Sequence, residues 1–157
     1  MNITIEAIKE QHNKVAEMIA AFEANAKLSA ALPITVSLPR LNAGEQYVGS
    51  IINADGKKRE HIILLPGEIT GDNWDNCMTW AASIGGELPD RVESALLFAT
   101  LKDQFAEEWY WTREQYAHYD GFAWMQDFND GYQDDIYKST KYRARAVRRV
   151  YLTEVTT

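Results

Sequence analysis

The chain has 157 residues, 46% apolar and 25% charged, which is enough for one folded soluble domain plus an appended element. A net charge of −7 and a pI near 5.0 argue against bulk binding to nucleic acid or to an anionic membrane. Cys77 is the only cysteine, which excludes an intrachain disulfide, and no apolar run reaches the roughly 18 residues of a membrane span.

The first segment, "ITIEAIKEQHNKVAEMIAAFEANAK", contains neither Gly nor Pro and predicts a helix. Ile5, Ile8, His12, Val15, Ile19, Phe22 and Ala26 recur in alternating steps of three and four, a heptad stripe. Such a stripe either packs on its own domain or associates with other copies. The strict register and the Pro-marked break after it favour an oligomerisation helix over residues 1–28, building a dimer or trimer. The segment also lacks the apolar core of a signal peptide, so a reducing cytoplasm is the expected compartment.

Pro33 and Pro39 forbid a continuing helix, so residues 29–45 read as a linker and 46–157 as the domain. "EQYVGSII" and "EHIILLP" flank the turn signal Asp55-Gly56 and predict a hairpin. "GDNWDNCMTWAASIGG" predicts a helix with Asp72 as N-cap, one face of Trp74, Cys77, Met78 and Ala81, and Gly85-Gly86 as the stop. A second helix follows Pro89, with Asp90 and Glu93 spaced as a capping box and Leu96, Leu97, Thr100 and Leu101 as its buried face. Beyond it the pattern changes to short strands: "WYWT", then "FAWMQDF" and "GYQDDIY" around Asn129-Asp130-Gly131, then the alternating "RARAVRRVYL". The fold class is therefore α+β, a long N-terminal helix ahead of a domain with two helices and several antiparallel strands.

No catalytic constellation emerges from the motifs. His12, His61 and His118 lie far apart without metal-ligand spacing, and there is neither a GxSxG nor a phosphate-binding glycine loop. Cys77, mid-helix among Trp74, Met78 and Trp80, reads as a small buried hydrophobe. "DFNDGYQDD" is acidic enough to suggest calcium. Its Gly comes too early for an EF-hand loop and no terminal Glu follows, so it reads as an acidic hairpin turn. No metal and no cofactor is expected. A shallow acid/base pair drawn from Glu107, Asp127, Asp130 and Asp135 is the remaining enzymatic option.

Charge and aromatic residues are distributed more informatively. Eight acids and one base lie between Glu107 and Asp135, and six bases with no acid between Lys138 and Arg149. Six of the eight tyrosines and three of the five tryptophans fall between Trp109 and Tyr142. Tyrosine supplies large, rigid, amphipathic contact area, the currency of binding surfaces rather than of cores. Trp111, Trp124, Ala144, Ala146 and Val150 are expected in the core, with Arg143, Arg145, Arg148 and Arg149 paired to the acids just upstream. The contact set is Arg113, Glu114, Tyr116, His118, Tyr119, Asp120, Gln126, Asn129, Asp130, Tyr132, Asp134 and Tyr137.

"GGELPDRVESALLFATL", "WYWT", "FAWMQDFNDGY" and "RARAVRR", in that order, resemble phage and bacterial proteins with a C-type-lectin-like fold. That group is similar to the variable proteins of diversity-generating retroelements and, more distantly, to the formylglycine-generating enzyme domain. The resemblance covers about residues 51–151. It implies two helices flanking a small antiparallel sheet, with a ligand face built between "YWT" and "RARAVRR". It also implies scaffold roles for Trp111, Trp124, Phe128, Gly131, Arg145, Val147 and Arg148. "WTRE" stands where the group often has "WSST", the calcium-site motifs of true lectins are missing, and Cys77 does not match the catalytic cysteines of the enzyme. The expected function is thus a non-enzymatic, phage-derived module that binds a protein or glycan, on a virion or in the host cytoplasm. Inhibition of a host defence protein and a purely structural oligomerisation role are the alternatives.

Overall fold

A computed structural model describes residues 4–30, 38–52 and 59–151, side chains at 26–30 and 59 excepted. Two compact units result, 1–37 and 38–157. The first contains α1 (Ile5–Ala30), as its unbroken run of helix formers dictates. Every described side chain of α1 is exposed. No described helix is long and apolar enough to cross a membrane.

The second unit is α+β. Strands β1 (Gln46–Ile52) and β2 (Arg59–Leu64) form the expected antiparallel hairpin, whose Asp55-Gly56 turn lies outside the described residues. Next come β3 (Ile69–Asp72), α2 (Trp74–Ser83), α3 (Arg91–Leu101) and a 3-10 turn at Lys102–Gln104. The C-terminal half holds β4 (Trp109–Gln115), β5 (Phe122–Asp127), β6 (Gln133–Tyr137), β7 (Tyr142–Ala144) and β8 (Val147–Tyr151). A three-stranded sheet runs β1-β2-β8, and a five-stranded one β3-β7-β4-β5-β6. Among the described strands only β4 and β7 pair parallel.

Several local readings require correction. The N-cap of α2 is Asn73, whose side chain accepts from Asn76 N, because Asp72 is still the last residue of β3. Thr100 is exposed and donates to Leu96 O within its own helix, while Glu93 and Ser94 are buried in its stead. The alternating final strand is two strands in different sheets. The chain changes sheet at Arg145-Ala146, where Ala146 O accepts from Leu65 N, and Val147 rather than Val150 is fully buried. The compact unit begins at Leu38, and ahead of β1 Asn42 and Glu45 close a turn on each other while Arg148 clamps Glu45.

Other elements follow their sequence signals. Asp90 and Glu93 form the complete capping box, each side chain accepting from the other's backbone N–H. At Gly85, φ is +82, the left-handed conformation that ends a helix. Gly86 has a different reason: a Cβ there would stand 2.8 Å from Val147 O. Two cores meet along β4, whose alternation sends Trp111 into one, with Cys77, Ala81, Leu88 and Met125, and Tyr110 into the other, with Ile62, Leu97 and Phe128. Burying Leu97 alone contributes roughly 1.5–3 kcal/mol.

Candidate functional site

The β4–β5–β6 end of the larger sheet carries the aromatic set. Phe122 pairs with Tyr137 and Trp124 with Asp135 across β5 and β6, so Phe122, Trp124 and Tyr137 share one face. Phe122 and Tyr137 rings lie 4.2 Å apart. Tyr116, just past β4, packs its edge on Trp124 at 5.6 Å and stacks with Tyr119 at 6.0 Å. His118 joins at 5.4 Å from Tyr116, and Tyr119 reaches Phe122 at 5.8 Å. Six rings thus form one connected cluster, with Tyr119 64% and Tyr137 61% exposed. Above Trp124 lies the guanidinium of Arg91, 3.6 Å from the ring centroid, a cation–π contact.

Two open grooves flank this ridge. One, of 610 Å³, is lined by Arg91, Val92, Ala95, Glu114, Tyr132 and Gln133. The other, of 570 Å³, is lined by Asn73, Asp75, Asn76, Tyr137, Lys138 and Ser139. Lys138 lies 4.2 Å over Trp74 and donates to Gln115, which in turn donates to Asp120.

The expected contact residues separate into three groups. Tyr116, His118, Tyr119, Asp120 and Tyr137 gather at the open end of the β5–β6 hairpin. Asn129, Asp130 and Tyr132 sit at its turn, about 17 Å away for a strand of this length. There Asp127 accepts from Asn129 N and Asp130 from Tyr132 N, while Tyr132 packs its ring on Trp109 at 6.3 Å. Both carboxylates thereby hold the turn. Asp134, exposed on β6, accepts from Asp135 N.

Arg113, Glu114 and Gln126 form the third group and hold the framework. Gln126 is 1% exposed and accepts from Gln133, which also donates to Arg91 O, so it cannot meet a partner. Glu114 accepts from Arg91 N at the start of α3. Arg113 pairs with Glu87 at 2.8 Å and Asp90 at 3.5 Å. Trp124, expected in the core, is half-buried and belongs to the surface cluster. Phe122 and Arg91 were not anticipated. The period-2 spacing of Phe122 with Trp124 was the available signal, whereas Arg91 is brought over by α3 packing.

The arginines of β7 and β8 take distant acids rather than their upstream neighbours. Arg149 grips Glu93 with two nitrogens at 2.6 and 2.7 Å and also reaches Glu87. Arg148 forks onto Glu45, and these hydrogen bonds hold the Glu45 carboxyl down at about 2. Arg143 bridges Glu68 and Glu108, only the latter from the acid-rich segment, and its hydrogen bond lowers the Glu108 pKa. Among the described residues no carboxylate pairs with Arg145. It donates to Gln104 O and lies 5.2 Å over Phe105. Burial pushes the Tyr110 hydroxyl up to about 12, reinforced by its hydrogen bond to Glu68.

Among the described residues no ion pair reaches Asp120, Asp127, Asp130, Asp134 or Asp135, and no cluster of three or more His, Cys, Asp or Glu is placed to hold a metal ion. No known protein-family model matches this chain, and no curated protein matches it.

Proposed function

We propose that the domain is a non-enzymatic binding module whose contact face is the aromatic ridge of Tyr116, His118, Tyr119, Phe122, Trp124 and Tyr137, rimmed by acids. The partner is a protein or glycan, and α1 makes the display multivalent, turning modest single-site affinity into avidity. One observation carries this reading: a connected, exposed aromatic cluster stands beside carboxylates with which no cation among the described residues pairs. Aromatic anchors between open grooves suit a ligand that inserts side chains or stacks sugar rings.

The C-type-lectin-like, phage-derived reading belongs to the same proposal, with a virion or an infected cytoplasm as its setting. It is supported by the ordered motif series, by the two short helices beside small sheets, and by the pairing of the domain's early strand β2 with its last strand β8.

Glycan and peptide arrays probed side by side with the wild type and Y119A/Y137A test the contact face. Features bound by the wild type should lose at least about thirtyfold with the variant, since central aromatic anchors contribute about 2 kcal/mol or more. Arrays on which the two proteins behave identically would reject the face. A Y151A protein, altered at an exposed tyrosine on β8 of the other sheet, should bind as wild type.

A further inference from the structure

The apolar seam of α1 carries a direction as well as an affinity for other helices. Ile5, Ile8, Val15, Ile19 and Phe22 are all more than half exposed. With Ile5 at heptad position a, His12 and Ile19 are also a, and Ile8, Val15 and Phe22 are d. The flanking e positions are Lys9, Ala16 and Glu23, and the g positions Gln11, Met18 and Asn25.

These flanks discriminate between the two orientations. In a parallel pair, g of one helix meets e in the next heptad of the other, which sets Gln11 against Ala16 and Met18 against Glu23. No opposite charges meet, and each His12 faces its own copy in the a layer. An antiparallel pair sets a against d and e against e. The register that overlaps Ile5–Ala30 nearly end to end and keeps a against d puts Val15 opposite Ile19 and His12 opposite Phe22. That same register brings Lys9 of each helix beside Glu23 of the other, at the two ends of the edge where e meets e. Ala16 and Met18 each come next to their own counterparts across the dyad.

We propose that α1 docks on α1 of a second copy of this chain as an antiparallel pair, its direction fixed by two symmetric Lys9–Glu23 contacts. The inference rests on the self-association reading of α1 made above. It adds that the display is bivalent, the two chains leaving the helix pair at opposite ends.

The test uses the full chain with Glu6→Cys carrying a nitroxide label. Cys77 is 0% exposed, so the engineered thiol takes the label. Pulsed electron-spin distances should centre at about 33 Å or longer, from 1.5 Å of rise per residue along the opposed helices. A parallel pair would give less than about 20 Å, set by its 8–10 Å interaxial spacing. Independently, K9E and E23K should each weaken the dimer on the order of tenfold, and K9E/E23K should restore it. A short distance, or a double variant no better than the singles, overturns the direction while leaving self-association standing. A monomer by light scattering at all concentrations overturns both. Neither outcome touches the array result at Tyr119 and Tyr137, which stands or falls alone.

Discussion

Two neighbouring stretches of the chain carry opposite charge and resolve it in opposite ways. Along β7 and β8, Arg143, Arg148 and Arg149 each close on carboxylates, and Arg145, between the two strands, donates to backbone carbonyls, so these four arginines are tied into the fold. Around β5 and β6, the carboxylates of Asp120, Asp127, Asp130 and Asp134 accept from backbone amides or a neutral side chain, and among the described residues none of them forms an ion pair, beside rings open to solvent. The acids that answer the arginines come mainly from Glu45, Glu68, Glu87 and Glu93, far upstream in the chain. Proximity in sequence therefore does not decide which charges pair. Sheet topology does, by setting β8 beside β2 and β7 between β3 and β4. The lesson is that an unneutralised patch is visible only after the fold has assigned partners to everything else.

The sharpest way to break this contrast is at Arg149. Glu93 is 1% exposed, so R149M leaves a buried carboxylate without its partner and should cost about 3–5 kcal/mol, read by guanidinium denaturation. A loss under about 1 kcal/mol would mean that the pair is not part of the framework. Next in size is G131A at the hairpin turn. There φ is +89, and a Cβ would stand 2.8 Å from the Phe98 ring, so a loss of about 1–3 kcal/mol is expected while array binding is unchanged. A change in binding as large as that of Y119A/Y137A would join the two ends of the hairpin into one site.

A smaller effect depends on pH. The folded Glu45 carboxyl titrates at about 2 instead of 4.5, so its pairing with Arg148 stabilises the fold fully above pH 4.5 and is lost as pH falls towards 2. Urea unfolding of the wild type and E45Q should therefore show a gap at neutral pH that closes across that window. A gap independent of pH would assign the effect of the substitution to packing alone.

Much of the fold was legible in the sequence, for identifiable reasons. The capping box at Asp90 and Glu93, the β1–β2 hairpin and the Asn129-Asp130-Gly131 turn are local signals, set by side chains a few residues apart. β3 was missed because "ITGD" is four residues long, with no alternation to betray it. The break at Arg145-Ala146 was missed for the opposite reason, since alternation continues through a change of sheet. For the candidate site, the tyrosine-rich segment does hold the connected aromatic cluster, but which of its residues face out was not readable. Gln126 and Trp124 are both on β5 and two residues apart. One is covered by Gln133, while the other lies at the surface under Arg91, so long-range packing rather than periodicity separates them.

The most direct measurement is the unfolding free energy of D120N/D134N/D135N against the wild type. Asparagine keeps the acceptor oxygens that meet Gln115 Nε2 and Asp135 N, and removes only the charge. If these carboxylates are free of the framework, stability should stay within about 0.5 kcal/mol or rise slightly, because like-charge repulsion is relieved. A loss of 2 kcal/mol or more would show that the acids hold the fold as the arginines do, and would contradict the reading of this end as a face kept open for a partner.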